Sequence, residues 1–271
     1  MGPVKGRALL GRERKNRTAT TFGIILATSI VAILALGCAQ KVADTKDPTP
    51  VPKEQPPATN YHVVVISGFE SDPTAAQIAG QSMRGSGNSG MFQLKGDLES
   101  EGIECSFFNW NGTDAGDIHN KDAGGPARIV SSMIETRDKS NHTEFIFVAH
   151  SWGAHTMLDV AAKLQSNSDI KINSSFVIDA SSLMRGKRSE TLPENIPSMT
   201  SYHTANAFCW GPWKNEPRIT NVDLADPENG YTVNGHPNYA STFDTAAHTH
   251  AEWDQKIHSD IRKQILAVVE K

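Results

Sequence analysis

Short apolar runs alternate with helix-length segments along most of this chain, and that alternation restricts the possible fold more than any other feature. The clearest runs lie at 62–66 and 144–149. A strand with one face in water would alternate polar and apolar residues, whereas a continuous apolar strand needs cover on both of its faces. The pattern therefore predicts an α/β fold with a mostly parallel sheet and helices on both sides.

Residues 61–271 form one predicted domain, because this is where the strand and helix patterns occur. The predicted strands lie at 62–66, 103–108, 144–149, 174–178 and 200–207, and the predicted helices at 91–100, 127–137, 154–164 and 254–269. The last helix places Ile257, Ile261 and Ile265 on one face, which predicts an amphipathic helix that closes the domain.

The stretch at about 206–248 has no strand or helix periodicity. It is rich in Gly, Pro and Asn and contains several aromatic residues, so we expect an irregular insertion. A long irregular segment inside a compact domain is typically a lid or a pocket wall. The alternative is a surface insertion without a function.

Residues 1–37 have the layout of an export signal. Six basic residues and one acidic residue precede an uncharged apolar run at 22–37. Cys38 follows Gly37 directly, which resembles the bacterial lipoprotein signal, in which the cysteine is lipidated and becomes the mature N-terminus. The resemblance implies export to the cell envelope and anchoring to a membrane, with a periplasmic or secreted protein, or an uncleaved anchor, as alternatives.

The segment at 39–60 contains five prolines and almost no apolar side chains. Such a stretch cannot bury enough surface to fold, so it predicts a disordered, extended linker between the membrane and the domain.

The charge balance excludes one class of partner. The net charge is −4 for the whole chain, and removal of residues 1–37 leaves −9. A strongly acidic domain repels phosphate, so nucleic acid is not an expected partner. The remaining cysteines, Cys105 and Cys209, are too few for a disulfide framework and are predicted to be free thiols.

The stretch "VAHSWGAH", 148–155, carries the strongest functional signal. Ser151 stands between Ala149 and Gly153, directly after a predicted apolar strand and directly before a predicted helix. A sharp turn from strand to helix presents a serine above the edge of a sheet, and it requires small residues on both sides. The new helix also directs its N-terminal amides toward the place where an oxyanion would form.

With this order of strand, turn and helix, "FIFVAHSWGA" resembles the α/β-hydrolase superfamily, specifically its lipase-like and esterase-like members. The resemblance covers the domain from Tyr61 to Lys271. It implies Ser151 as a nucleophile and backbone amides as the oxyanion hole. The matching positions are Trp152, after the nucleophile, and Phe69, in "VVVISGF", where this chain has Ser67-Gly68 in place of the more frequent His-Gly.

The resemblance also implies an acid after a later strand. Asp179 ends the run "SSFVIDA" and is the predicted acid. Asp223, Asp226 and Asn206 stay open as rivals, because the superfamily often places its acid after a further strand.

The base is expected last, before the closing helix. His250 is the predicted base, since "HAEWD" resembles the His-Ser-Glu-Ile-Asp ending of lipase-like relatives, and His248 is the alternative. His258 lies within the closing helix and is predicted to be a surface residue.

These assignments predict a serine hydrolase that cleaves an ester-type, small-molecule or lipid substrate without a cofactor. Phe208, Trp210 and Trp213 could form an apolar wall for the substrate, or could simply pack within the insertion. His248, His250 and Asp254 have metal-like spacing, but no matching ligand cluster accompanies them, so no metal site is predicted. The alternative function is a lipid-anchored binding or scaffold protein that keeps a degenerate hydrolase fold, and a transferase or peptidase could use the same residues.

Overall fold

The computed structural model describes residues 59–68, 89–110, 125–139, 143–167, 169–182, 191–231 and 239–270. The predicted export signal, Cys38, nearly all of the linker and Phe69 lie outside these ranges. No helix in the described ranges is both long enough and apolar enough to cross a bilayer.

Strands and helices alternate from the first strand onward. In chain order they are β1 (Asn60–Ser67), α1 (Gly90–Ser100), β2 (Glu104–Asn109), α2 (Gly125–Lys139), β3 (Thr143–His150), α3 (Trp152–Leu164), β4 (Lys171–Ile178), β5 (Met199–His203), β6 (Ile219–Asp223), α4 (Thr245–Ala251) and α5 (Gln255–Val269). A short 3₁₀ turn, Pro227–Asn229, follows β6.

The six described strands form one parallel sheet in the order β2-β1-β3-β4-β5-β6. Alternate residues of β1 serve opposite faces. Val64 and Ile66 pack with the buried residues of α2 and α3, whereas Val63 and Val65 pack with those of α1, α4 and α5. The predicted α/β class, with helices on both faces and a C-terminal helix, is confirmed.

The strand order changes direction between β1 and β3. The helix after β1 lies on one face of the sheet and the helix after β2 on the other. At such a point the two connections part and leave a crevice at the carboxyl edge of the sheet, where ligands bind in open α/β sheets. β3 ends at this point of the sheet, immediately before Ser151.

The stretch at 206–248 is more regular than its sequence indicates. It contains β6, which pairs with β5, and the start of α4. The expectation of an irregular insertion is therefore corrected for this part. β6 is an edge strand with mostly exposed or half-exposed residues, so it lacks the apolar run that predicts a buried strand.

The closing helix α5 confirms its predicted apolar face, because Ile257, Ile261 and Ile265 are fully buried. His258 is buried as well, which corrects its assignment to the surface. Its Nε2 donates to the carbonyl oxygen of Glu252, at 2.7 Å. Burial lowers the pKa of His258, so the uncharged imidazole is favoured.

Candidate active site

Three polar residues follow directly after three neighbouring strands. Ser151 follows β3, Asp179 follows β4 and Thr204 follows β5. Because the strands are parallel, their carboxyl ends meet at one edge of the sheet. Side chains that lie far apart in the sequence are thus brought into one place.

Ser151 occupies the turn between β3 and α3 with φ 52° and ψ −121°, a conformation that non-glycine residues rarely adopt. Its N–H donates to the carbonyl of Ile178 at 3.1 Å, which ties the turn to β4. Gly153 lies against β1, and a Cβ at this position would approach the carbonyl oxygen of Ile66 to 2.3 Å. The motif's requirement for a small residue at Gly153 therefore arises from its close approach to the backbone of β1.

Asp179 has the second positive φ of the site, 39°, and its N–H donates to the carbonyl of Tyr202 at 2.7 Å. Oδ1 accepts from the amide and the hydroxyl of Thr204, each at 2.9 Å. Positive φ at two adjacent strand ends costs roughly 1–3 kcal/mol at each residue and is typical of functional sites.

The electrostatics of Asp179 favour its charged form. The side chain is fully buried, and burial alone would raise its pKa. The hydrogen bond and charge of His248, the amide of Thr204 and the thiol of Cys209 more than offset this effect, so the pKa lies below its usual range.

His248 connects Ser151 and Asp179. Its Nε2 lies 2.9 Å from Ser151 Oγ and its Nδ1 lies 2.7 Å from Asp179 Oδ2. An ionised carboxylate can only accept, so Nδ1 must carry a proton and donate it. In the neutral imidazole, Nε2 is then the acceptor for the Ser151 hydroxyl.

The structure places His248 beside Ser151, and not His250 as predicted. Both histidines lie on α4, whose N-terminus is capped by Asp244. Residues two apart on a helix point about 200° apart, so only one of them can face the serine. The geometry therefore favours His248 over His250 as the partner of Ser151. The resemblance located the segment before the closing helix but not the rotation of this short helix.

The other candidates for the acid do not take the place of Asp179 beside His248. Asp223 accepts from the amide of Ala225, and Asp226 caps the 3₁₀ turn. Asn206 is buried and donates from Nδ2 to Thr204 Oγ1, while its Oδ1 accepts from the amide of Asp244. Asn206 therefore links the residue that holds Asp179 to the helix that carries His248.

Of the two predicted oxyanion donors, Trp152 lies in the part of the chain that the structure describes. Trp152 is the first residue of α3, next to Ser151, and the first N–H groups of a helix point out of its N-terminus. Its indole packs edge-to-face on Trp110 with ring centroids 5.2 Å apart. Phe69 lies outside the described residues.

The three predicted wall residues have different environments. Phe208 is half-buried and packs edge-to-face against His248, with centroids 5.3 Å apart. Trp210 is half-buried and packs edge-to-face on His155, with ring centroids 4.4 Å apart. Trp213 is buried in the core, and its backbone exchanges two hydrogen bonds with the Asn221 side chain, so its assignment to a wall is corrected.

A second histidine and carboxylate pack behind the first pair. His150 and Glu252 are both completely buried, with His150 Nδ1 3.7 Å from Glu252 Oε2. The ring of His150 lies 5.1 Å from that of His248, and its Nε2 lies 3.3 Å from the His248 carbonyl oxygen. His150 thus contacts the backbone and ring of His248.

Cys209 also lies against the site and was not predicted there. Its Sγ is 3.2 Å from Asp179 Oδ2 and 3.4 Å from His248 Nδ1. Among the described residues, Asp179, Cys209 and His248 form the only group of three or more potential metal ligands whose ligand atoms lie within 4.8 Å of one another. Asp254, from the predicted metal-like spacing, instead caps α5 and accepts from Tyr239.

Sequence patterns gave little indication of Thr204 and Cys209. Both lie in "HTANAFCW", at 203–210, where no motif stands out. The predicted fifth strand, 200–207, included Thr204, whereas β5 ends at His203, so the sequence pattern did not place Thr204 at a strand end. Both Cys105 and Cys209 are free thiols, as expected.

The sequence matches no protein family and no curated protein. Solved structures resemble this chain at low identity. A cutinase-like protein from Cryptococcus sp. is 14% identical over 78% of this chain and 95% of its own, with a TM-score of 0.42. The catalytic core domain of acetyl xylan esterase from Trichoderma reesei is 10% identical over 79% of this chain and 98% of its own, with a TM-score of 0.38.

A third similar structure comes from Xanthomonas campestris pv. campestris and is provisionally assigned to the hydrolases of the alpha/beta superfamily. It is 14% identical over 74% of this chain and 98% of its own, with a TM-score of 0.42.

Proposed function

We propose that this chain is a serine hydrolase of the α/β-hydrolase type that cleaves ester bonds, with Ser151 as nucleophile, His248 as general base and Asp179 as the acid that orients it. The observation that carries the proposal is the continuous hydrogen-bond path from Ser151 Oγ through His248 to Asp179, with distances of 2.9 and 2.7 Å. Nucleophile, base and orienting carboxylate within hydrogen-bond reach are the requirement for an activated serine.

The reaction follows from the proton positions. Ser151 Oγ attacks the ester carbonyl while His248 Nε2 takes its proton. Asp179 keeps the second proton on Nδ1 and stabilises the imidazolium that forms. His248 then protonates the leaving alcohol, and a water molecule activated by the same nitrogen hydrolyses the acyl-enzyme.

Backbone amides would stabilise the tetrahedral oxyanion. The amide of Trp152 is the first proposed donor, and the amide of Phe69 the second, by resemblance. The N-terminus of α3 adds a favourable potential at the same place. Phe208 and Trp152, both half-buried beside the reacting groups, are the proposed apolar contacts for the substrate.

The decisive experiment compares two histidine variants with a nucleophile variant. His248→Ala and Ser151→Ala should each lower hydrolysis of a nitrophenyl ester by about 10⁶-fold, the loss found when a serine nucleophile or its base is removed. His250→Ala is the matched control on the same helix, and it should keep measurable turnover. A fluorophosphonate probe should label the unmodified protein on Ser151, and peptide mapping identifies the labelled residue.

Two outcomes would overturn this assignment. Full activity in Ser151→Ala would remove the nucleophile, and inertness of the unmodified protein toward the probe and a panel of esters would favour a binding or scaffold protein. Labelling without ester turnover would instead indicate a transferase or peptidase that uses the same three side chains.

Export and lipid attachment at Cys38 complete the proposal. Support comes from the basic residues and the apolar run before Cys38 in the sequence. Cys38→Ala should release the chain from the membrane fraction into the soluble fraction. Equal membrane association of both proteins would exclude lipidation as the anchor.

A further inference from the structure

The proposed reaction does not use the thiol of Cys209, yet this thiol touches both partners of the acid–base pair. Cys209 is only 9% exposed, and its backbone is held on several sides. Its N–H donates to the carbonyl of Asn206, it forms an isolated antiparallel bridge with Ser181, and the following amide of Trp210 donates to Ala180. The sulfur is therefore held in position by the backbone around it.

Three atoms at this point are metal ligands of three kinds. Cys209 Sγ, His248 Nδ1 and Asp179 Oδ2 are separated by 3.4, 2.7 and 3.2 Å. Bond lengths of Zn²⁺ to sulfur, nitrogen and oxygen in a tetrahedral site imply separations of about 3.3 to 3.6 Å between ligand atoms. The distance from sulfur to nitrogen lies within this range, and the distance from sulfur to oxygen is about 0.1 Å below it. The distance from nitrogen to oxygen must lengthen by about 0.6 Å.

We propose that Cys209, His248 and Asp179 form an inhibitory binding site for a thiophilic divalent cation, with Zn²⁺ as the representative ion. The three side chains occupy one face of the tetrahedron, and a water molecule completes it. Cation binding at this site is independent of the proposed function, whereas its inhibitory effect rests on that function.

The protons account for the inhibition. Nδ1 of His248 must give up its proton to bind the cation through its lone pair, and the neutral imidazole then carries its proton on Nε2. That nitrogen now donates toward Ser151 Oγ instead of accepting from it, so it can no longer take the serine proton. The Cys209 thiol loses its proton to solvent, and one proton is released for each cation bound.

The sulfur ligand selects the cation. Thiolate and imidazole ligands suit Zn²⁺ and similar ions, whereas Mg²⁺ and Ca²⁺ prefer sites made of oxygen atoms. Mg²⁺ should therefore have no effect on the absorption band or on the labelling rate.

The binding test uses Co²⁺, which substitutes for Zn²⁺ and reports a thiolate ligand by charge-transfer absorption in the near ultraviolet. Titration of the full-length chain should give this band with one cation per chain, and excess Zn²⁺ should remove it. Cys209→Ser should lack the band and bind at least about 100-fold more weakly, since loss of even an outer partner of a metal site costs 10–100-fold.

Two control variants isolate the site. Cys105→Ser removes the other described thiol, which lies on β2 and is separated from β4 by β1 and β3, and it should keep the band. His250→Ala should keep it too, which separates this site from a pair formed by His248 and His250. Loss of the band in Cys105→Ser, or its persistence in Cys209→Ser, would overturn the proposal.

The inhibition test measures the rate of fluorophosphonate labelling and of ester hydrolysis with and without Zn²⁺, each variant relative to its own metal-free rate. Zn²⁺ should slow the unmodified protein and Cys105→Ser by more than about tenfold, corresponding to about 1.4 kcal/mol, and a chelator should reverse the effect. Cys209→Ser should respond little. Equal inhibition of Cys209→Ser would overturn the inhibitory site. A cobalt band dependent on Cys209 in a protein that neither labels nor hydrolyses esters would keep the cation site and reject the proposed function.

Discussion

Two histidine–carboxylate pairs lie side by side in the interior, and they differ in what they contact. In the pair of His248 and Asp179, the two side chains are 2.7 Å apart and the imidazole reaches Ser151 with its other nitrogen. In the pair of His150 and Glu252, the separation is 3.7 Å, and the imidazole approaches a backbone carbonyl instead of a hydroxyl. Both pairs are nearly or completely buried.

The difference teaches that burial and pairing do not by themselves define a catalytic base. Only the first pair combines a short bond to a carboxylate with an acceptor nitrogen aimed at a hydroxyl, and its carboxylate is further held by Thr204. The second pair supports the helix of the first through the His248 carbonyl. Variants of the first pair should therefore mainly lower kcat, and variants of the second pair should mainly lower the free energy of unfolding.

The largest difference is expected between the two carboxylates. Asp179→Asn should lower kcat for ester hydrolysis by about 10⁴-fold, because the amide leaves the imidazole in the wrong tautomer. Glu252→Gln should lower kcat by less than about tenfold, or about 1.4 kcal/mol of barrier. Steady-state kinetics of both purified variants checks this, and similar losses in the two would mean that both pairs serve the reaction.

A smaller effect is expected from the residue that holds Asp179. Thr204→Val removes the hydroxyl but keeps the amide, so Asp179 loses part of its hydrogen bonding. We expect kcat to fall about tenfold, since a hydrogen bond to a charged group contributes about 1.5–3 kcal/mol. Thr204→Ser restores the hydroxyl and should restore the rate. A rate unchanged in the Val variant would show that the amide alone orients the carboxylate.

The second pair should affect stability more than rate. His150→Asn removes the ring that packs on His248 and its contact with the carbonyl, and it leaves Glu252 without this imidazole. We expect the free energy of unfolding to fall by about 1–3 kcal/mol, the cost of removing one partner of a buried polar contact. Denaturant titration measures this, with Lys171→Gln, an exposed residue of β4, as the surface reference. A variant as stable as the unmodified protein would contradict a structural role.

The smallest effect is a dependence of stability on pH. The pKa of Asp179 lies below its ordinary 3.8 in the folded protein, so its charged form stabilises the fold above pH about 4. This contribution is lost as the pH falls through the lower, folded pKa. The difference in free energy of unfolding between the unmodified protein and Asp179→Asn should therefore be constant near neutral pH and should shrink in acid. A difference independent of pH would mean that the carboxylate gains no net stabilisation.

Much of the fold follows from sequence patterns, for a clear physical reason. β1, β3 and the C-terminal helix were predicted within a few residues. A central strand that is covered on both faces needs a continuous apolar run, and a helix that packs on the sheet needs an apolar stripe. β6 was missed, because an edge strand with exposed side chains carries no such stretch. The assignment of Trp213 to a wall failed similarly, since an aromatic residue in an irregular stretch serves equally well in a core.

Within the site, the residues of the local motif could be predicted from the sequence, whereas most of their partners from distant segments could not. The sequence by itself determined the position of Ser151 and the need for Gly153, because strand, turn and helix are adjacent in the chain and sterically linked. The strand end that carries Asp179 was also predictable. Only the tertiary structure decided between His248 and His250 and brought Cys209 and Thr204 to the carboxylate, because the rotation of a short helix and the meeting of separate strand ends depend on packing between segments far apart in the chain.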